Sequence, residues 1–495
     1  MKYIKLLGFC LSFVLFFSSC HKDKVTTNEI SSLDLEINEF IWGTMHNYYL
    51  WVDNVPKLSS SYFSNDDSKV INFLKGYSDH EKLFYDLLYD HGTVDRFSWI
   101  VSDYVALEKQ FQGVTKSMGY DFQLYRYNAA GDLFGFVHYV FPGSPAENAG
   151  VRRGDVFTKI NGTVLTVSNY NSLLNADSYY LSYANISNHT IIPNSKTSSN
   201  MTSAEVQENP IYFDTIYNVN SIKVGYLVYN GFMDNYDNQL NKVFKYFKDN
   251  GINKLILDLR YNPGGSGEAA TYLASMIYST DTTKVFFRTS YNALLNNHFS
   301  DKYGPNFFNN YFADKIHASD KTTEEPINSL GLTELYVIAT GNSASASELI
   351  INGLRPHLSL TFVGDTTYGK YVGSTTFYDE DNTGKINPNH KWALQPIIMK
   401  AININGVSDF NNGLFPDEVV PEDLSLVLPF GDINETLLRA ALDKIKGISG
   451  KKSFISNSFG KVANSKDLIP HSRELYFNNL KKGLKLESFK SAKKN

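Results

Sequence analysis

Cysteine is nearly absent: the 495 residues contain two, Cys10 and Cys20, both close to the N-terminus. The body of the chain therefore has no disulfide framework and folds on its own core. An excess of one charge is lacking too. With 46 Lys and Arg against 51 Asp and Glu the net charge is −5, which gives no basic footprint for nucleic acid. Long apolar runs are also scarce. Leu6 to Phe17 is an apolar stretch, but its 12 residues are too few to span a bilayer as a helix. The 11 histidines and the carboxylates show no metal-ligand spacing, so neither a metal nor a cofactor is expected. The chain is rich in tyrosine (33) and phenylalanine (34), side chains suited to large buried surfaces and to grooves that hold peptides. At this length two to four domains are expected.

The N-terminus reads as an export signal. Lys2 and Lys5 precede or open the apolar stretch, and polar His21-Lys22-Asp23-Lys24 follows it. Ser18-Ser19-Cys20 at the boundary resembles the bacterial lipoprotein processing site. That resemblance implies removal of residues 1–19, a lipid on Cys20 and a short linker over 20–27. The mature protein would then sit in the cell envelope, on an outer membrane in preference to an inner one, facing the periplasm or the surface. The opposite end is basic. From Lys451 onward there are 11 Lys or Arg and 3 Asp or Glu, leaving about +8 on the tail and about −13 on the rest. Its periodicity is weak, and residues 447–495 are expected to form a solvated, partly ordered appendage.

Between these ends the pattern changes twice. Residues 28–104 read as a small helical domain, with Ile30, Leu33, Ile37, Phe40, Ile41, Met45 and Tyr48 at helical spacing and a second helix marked by Leu83, Phe84, Leu87 and Leu88. Over 105–204 short strands alternate with glycine turns, and the Ser-, Thr- and Asn-rich stretch from Asn185 to Ala204 is expected to be a loop or exposed linker. From 205 to 446 strand-like and helix-like runs take turns, among them Ile222 to Tyr229, Leu240 to Phe247, Lys254 to Leu259, Thr271 to Tyr278, Leu335 to Ala339 and Ser347 to Leu354. Such alternation points to an α/β layered domain. The order Gly119-Tyr120, Gly143-Ser144-Pro145-Ala146, Gly154-Asp155 and Ile160-Asn161-Gly162 resembles a PDZ domain. The resemblance implies that Gly119 and Tyr120 present N–H groups to a peptide's terminal carboxylate, and that the strand through Phe122 offers its edge to the peptide.

Three turns in the α/β region carry candidate chemistry. Ala344-Ser345-Ala346-Ser347-Glu348 stands between a strand-like and a helix-like run. A serine there can be held exposed beside backbone N–H groups that stabilise an oxyanion. The same residues fit Ser-x-x-Glu, the capping box that begins many helices, and Ser343 and Ser347 are rival nucleophiles. Asp258-Leu259-Arg260-Tyr261-Asn262-Pro263-Gly264-Gly265 ends a strand in a glycine turn before a helix, a place that favours developing negative charge. It lacks the Gly-Lys-Ser/Thr ending of a phosphate loop, which argues against a nucleotide. The third turn, Thr367-Tyr368-Gly369-Lys370, supplies one lysine. An ordinary lysine, with a pKa of about 10.4, is charged at neutral pH. Burial disfavours that charge, and a base requires as much.

In this order, and with Gly413-Leu414-Phe415-Pro416-Asp417 beyond them, the segments resemble the S41 family of C-terminal processing serine peptidases. The resemblance spans about 28–420. It implies an α/β multidomain chain with a helical N-terminal domain, a PDZ-like β-rich domain and an α/β layered, ClpP/crotonase-like peptidase domain. By position Ser345 would be the nucleophile, Lys370 the general base, and Gly264, Gly265 and Ala346 the oxyanion hole. The substrate would be a polypeptide engaged through its C-terminal end. One departure stands out: the glutamine that many members place four residues after the lysine is Ser374 here. Ser374 and Glu348 are the candidates to orient the amine. A catalytically silent peptide-binding scaffold on the same fold is the alternative function, and another acyl hydrolase a third.

Overall fold

Helix Ser32–Tyr48 starts at Ser31, whose Oγ accepts from the Asp34 N–H while the Asp34 carboxylate accepts from the Ser31 N–H. That reciprocal cap satisfies two of the donors a helix start leaves open. The helix buries Ile37, Ile41, Trp42 and Met45 against Leu83, Phe84 and Leu87. The computed structural model describes residues 30–317, 324–448 and 459–468, with the backbone of 475–476. The expected export signal and Cys20 lie outside the described residues. Strand Trp99–Val101 leaves the helical unit and pairs antiparallel with Ala393–Gln395, so this unit is fastened to the distant peptidase-like region.

Strands Tyr120–Arg126, Leu133–Val140, Val156–Ile160, Leu181–Ser187 and Thr190–Thr197 form successive antiparallel neighbours in one sheet. Gly119 precedes the first of them at φ 79°, and a Cβ there would sit 2.3 Å from the Ser144 Cβ, so the close approach needs glycine. The stretch from Asn185 to Ala204 is not the expected loop. It is largely a hairpin, closed by Asn188 and His189 at φ 46° and 58°, the two positive values that a tight two-residue turn requires. Its polar residues mark a sheet margin that faces solvent, not a lack of pairing.

The outer strand of this sheet comes from the far end of the chain. Gly460–Asn464 pairs antiparallel with Tyr120–Arg126, so part of the expected solvated appendage is a strand. An unpaired sheet edge accepts any extended segment, and local periodicity does not reveal such a partner.

The α/β region is a six-stranded sheet in the order Ile211–Val219, Ile222–Tyr229, Lys254–Asp258, Glu334–Ala339, Ser359–Gly364, Glu418–Val419. It is parallel from the second strand onward. Parallel strands covered on both faces are continuous apolar runs, which is how they read in the sequence. Helices Asp237–Asp249, Gly267–Ile277 and Ala346–Leu354 cover one face. Helix Thr436–Ile445 covers the other, together with Tyr139 of the β-rich domain. That domain reaches further: Arg153 donates to the Tyr261 hydroxyl at 3.0 Å, and the His138 ring stacks on Tyr261 at 3.9 Å. Tyr261 directly precedes the Asn262–Gly265 turn.

Candidate active site

Lys254–Asp258, Glu334–Ala339 and Ser359–Gly364 are neighbours in the sheet and run in the same direction. Their carboxyl ends lead to Gly264-Gly265, to Ser345 and to Lys370, so three turns far apart in sequence converge where open α/β sheets hold ligands.

Ser345 has φ 62° and ψ −112°, a conformation that a residue with a side chain adopts only under constraint from its surroundings. Glu348 closes one half of a capping box, its carboxylate accepting from the Ser345 N–H at 2.8 Å. The Ser345 Oγ, however, is buried and makes no hydrogen bond of its own. The rival hydroxyls are committed. Ser343 Oγ donates to the Leu259 carbonyl at 2.7 Å and accepts from the Thr340 N–H at 2.9 Å. Ser347 Oγ donates to the Asn262 carbonyl at 3.0 Å.

The Glu348 carboxylate is the hub of the site. It accepts from the backbone N–H of Ser345 at 2.8 Å, of Gly369 at 2.7 Å and of Lys370 at 2.8 Å, and from the Thr367 hydroxyl at 2.5 Å. Burial pushes this carboxyl above its ordinary value, and those four donors oppose the shift. Lys370 is 1 % exposed, and its Nζ lies 5.0 Å from the centre of the Phe97 ring. Ser345 and Lys370 line one narrow cleft with Leu349, Asn352, Tyr371 and Phe410. Phe97 is held by Asp95, whose carboxylate accepts from the N–H groups of Phe97 and Ser98 and from the Tyr49 hydroxyl. The helical domain thus supplies one wall of the lysine's surroundings. No sequence signal marked Phe97.

Gly264 stands at φ 110°, and a Cβ there would lie 2.7 Å from the Ser345 Cβ and 3.1 Å from the Ala346 nitrogen. Its own N–H donates to Asn262 Oδ1 at 2.9 Å. Ala346 opens a helix, and its N–H belongs to the first-turn donors that have no partner within the helix. Gly265, at φ 131°, has no room for a Cβ, which would meet the Phe232 carbonyl oxygen at 2.2 Å. Ser374 is fully buried and accepts from Gln395 Nε2 at 3.0 Å, while Gln395 Oε1 accepts from Thr376 Oγ1 at 2.6 Å. Gln395 was invisible in the sequence because it stands on a separate strand. In the PDZ-like domain the Tyr120 and Phe122 rings point into the core, and the Gly119 N–H donates to Ser117 Oγ at 3.2 Å. The rings serve the core, and the outer backbone edge of this strand is paired with Gly460–Asn464. Among the described residues no group of three or more His, Cys, Asp or Glu side chains is placed to hold a metal ion, and no helix is long and apolar enough to cross a membrane.

Three family models match the chain: Peptidase S41 N-terminal domain over residues 36–99, PDZ domain over 136–178 and Peptidase family S41 over 223–420. A carboxyl-terminal-processing protease of Picosynechococcus sp. is 25% identical over 308 residues, covering 61% of this chain and 64% of that protein. A Staphylococcus aureus protein assigned as a CtpA-like serine protease is 24% identical over 279 residues, covering 56% of this chain and 48% of its own length. The chain thus spans between about half and two thirds of the length of these curated relatives. Among solved structures, a Bacteroides fragilis protein assigned to the S41 proteases is 27% identical, covers 83% of this chain and 97% of its own, and superposes with a TM-score of 0.63.

Proposed function

Because the chain belongs to peptidase family S41, we propose that it is a serine endopeptidase in which Ser345 attacks a peptide carbonyl and Lys370 acts as general base. The observation that carries this reading is the state of Ser345: strained at φ 62°, with a hydroxyl that has no hydrogen bond while Ser343 and Ser347 are both engaged. In the reaction Lys370, buried in the same cleft, takes the hydroxyl proton as Oγ bonds to the carbonyl carbon. The carbonyl electron pair moves to oxygen, where the Ala346 N–H and the Gly264-Gly265 turn stabilise it. Each such donor is worth about 100- to 1000-fold in rate. Collapse expels the amine, which receives the proton from Lys370. Water then repeats the sequence on the acyl-enzyme, and no metal or cofactor takes part. Ser374, at the sequence position of the missing glutamine, accepts from Gln395 Nε2, and we take this pair as the candidate to orient the lysine.

The PDZ-like domain would engage substrates through their C-terminal ends, with Gly119 and Tyr120 at the carboxylate and the strand through Phe122 at the peptide. A lipid on Cys20 would hold the enzyme in the cell envelope, where exported polypeptides are the available substrates. Protein lacking residues 1–20, tested on an unfolded protein beside Ser345→Ala and Lys370→Ala, decides the central point. Both variants are expected to lose at least about 1000-fold in cleavage rate. Equal cleavage by all three overturns the dyad, and no cleavage with retained peptide binding supports the scaffold.

A further inference from the structure

Two described stretches near the C-terminus, 460–468 and 475–476, touch both places where a substrate would lie. On the β-rich domain, Lys461 stands opposite Tyr125, Ala463 opposite Leu124 and Asn464 opposite Gln123. Rising numbers on the segment meet falling numbers on the strand, so the segment runs toward the Gly119 turn. A PDZ edge takes a peptide as an added strand in this manner. Side chains fix the contact. Gln123 Nε2 donates to the Ala463 carbonyl at 2.8 Å, and Ser465 Oγ donates to Asp121 Oδ2 at 2.6 Å. Ala463 is buried in the same apolar cluster as Tyr120, Phe122 and Leu174. Lys466 lies 3.6 Å from Glu208 and 3.5 Å from the Asn230 carbonyl, across the junction with the peptidase domain.

Further on, Leu475–Tyr476 pairs in parallel with Gly265–Ser266 on one side, and Tyr476 pairs with Ser374 on the other. This backbone occupies a strand position between the glycine turn beside Ser345 and the strand that follows Lys370. Stretches that fill the peptide edge of one domain and a strand slot beside the glycine turn of the other lie where a bound polypeptide would lie.

We propose that the C-terminal segment is the protein's own resident ligand, occupying the PDZ edge through 460–465 and, through 475–476, the strand slot beside the cleft between Gly265–Ser266 and Ser374, and that a substrate polypeptide binds after displacing it. The cleft half rests on the proposed peptidase function; the PDZ half stands independently of it. The segment also describes the substrate class: an extended polypeptide with a small apolar residue at the position of Ala463 and a hydroxyl two residues later.

The test is binding, with the nucleophile removed. Full-length Ser345→Ala protein is titrated with a fluorescent peptide of residues 459–476, alone and with Ala463→Arg or Ser465→Asp added. The first change drives a charge into an apolar groove and the second sets a carboxylate against Asp121. Both lie on the segment, outside the domain that must fold around it. Releasing an intramolecular competitor raises apparent affinity by the inverse of the fraction of sites previously open, here expected to be at least about 10-fold in each variant. Equal affinity in all three proteins, or no binding by a variant with native circular dichroism, overturns the proposal. Should one variant fail to fold, the other tests the same contact. Peptide binding by a protein that cleaves nothing once Ser345 is restored would keep this proposal and remove the catalytic one.

Discussion

One carboxylate oxygen, Glu348 Oε2, accepts from the backbone N–H of Ser345 and from that of Lys370, each at 2.8 Å. The strained serine turn and the lysine turn are thereby fixed to each other through a single acceptor. Its partner Oε1 takes the Gly369 N–H and the Thr367 hydroxyl, and the Thr367 oxygen accepts in turn from the Leu414 N–H. Glu348 is a positioning residue for both proposed catalytic groups.

Removing it should cost more than a hydrogen bond. Glu348→Ala leaves four buried donors without an acceptor and is expected to lower stability by about 3 kcal/mol or more. Glu348→Gln keeps one acceptor oxygen and the shape. It should fold, with kcat lowered by about 10- to 100-fold and KM little changed, because two turns held about 1 Å out of place lose alignment and not affinity. Thermal melts and steady-state kinetics separate the two effects. A Glu348→Gln enzyme with unaltered kcat would contradict the positioning role.

Gly264→Ala should act on chemistry alone. The new Cβ would sit 2.7 Å from the Ser345 Cβ and 3.1 Å from the Ala346 nitrogen, at a φ of 110° that strains any side chain. The expected result is a loss of at least about 100-fold in kcat, as for a missing oxyanion donor.

Phe97 tests the contribution of the helical domain to catalysis. Its ring lies 5.0 Å from the Lys370 Nζ, and Arg96 beside it donates to the Gly369 carbonyl at 3.1 Å. Phe97→Leu keeps an apolar wall and should melt within a few degrees of the parent while losing about 10-fold in kcat, the rate equivalent of one partly buried cation–π contact. Phe97→Ala opens the wall to water and should lose stability as well. Unchanged kinetics in both would place Phe97 among purely structural residues.

Acid should weaken the peptidase domain through Glu435. Burial by itself raises this carboxyl, but the Arg260 guanidinium, at 2.7 and 2.9 Å, outweighs burial and holds it down from an ordinary 4.5 to about 2. A depressed carboxyl stabilises the folded state above its unfolded value and loses that contribution as pH falls through the folded value. The stabilisation, about 3 kcal/mol from the size of the shift, is therefore present above about pH 4.5 and disappears toward about pH 2. Glu435→Gln should be less stable at neutral pH, and its denaturant midpoint should change less between pH 5 and pH 3 than the parent's. Identical pH slopes in the two proteins would rule this pair out.

Much of the peptidase domain was legible because parallel strands and their helices declare themselves in local pattern. The runs Ile222 to Tyr229 and Leu335 to Ala339 stand within strands Ile222–Tyr229 and Glu334–Ala339, and helix Ala346–Leu354 starts one residue ahead of the expected run. The hairpin at 188–189 was misread because its polar surface resembles a loop, and pairing is a property of two segments at once. The strand Gly460–Asn464 was missed for the same reason: its partner is more than 300 residues away.

The sequence alone determined the three chemical turns, the order that resembles an S41 peptidase with a PDZ insertion, and the departure at Ser374. Those are statements about residue type and spacing, which local conformational physics can read. The tertiary structure decided which of three serines keeps an uncommitted hydroxyl, that Glu348 joins the two proposed catalytic turns, that Phe97 walls the lysine and Gln395 meets Ser374, and that Gly460–Asn464 lies on the PDZ edge. Each of these depends on hydrogen-bond and packing partners brought together by the sheet from distant parts of the chain, and no local pattern encodes them.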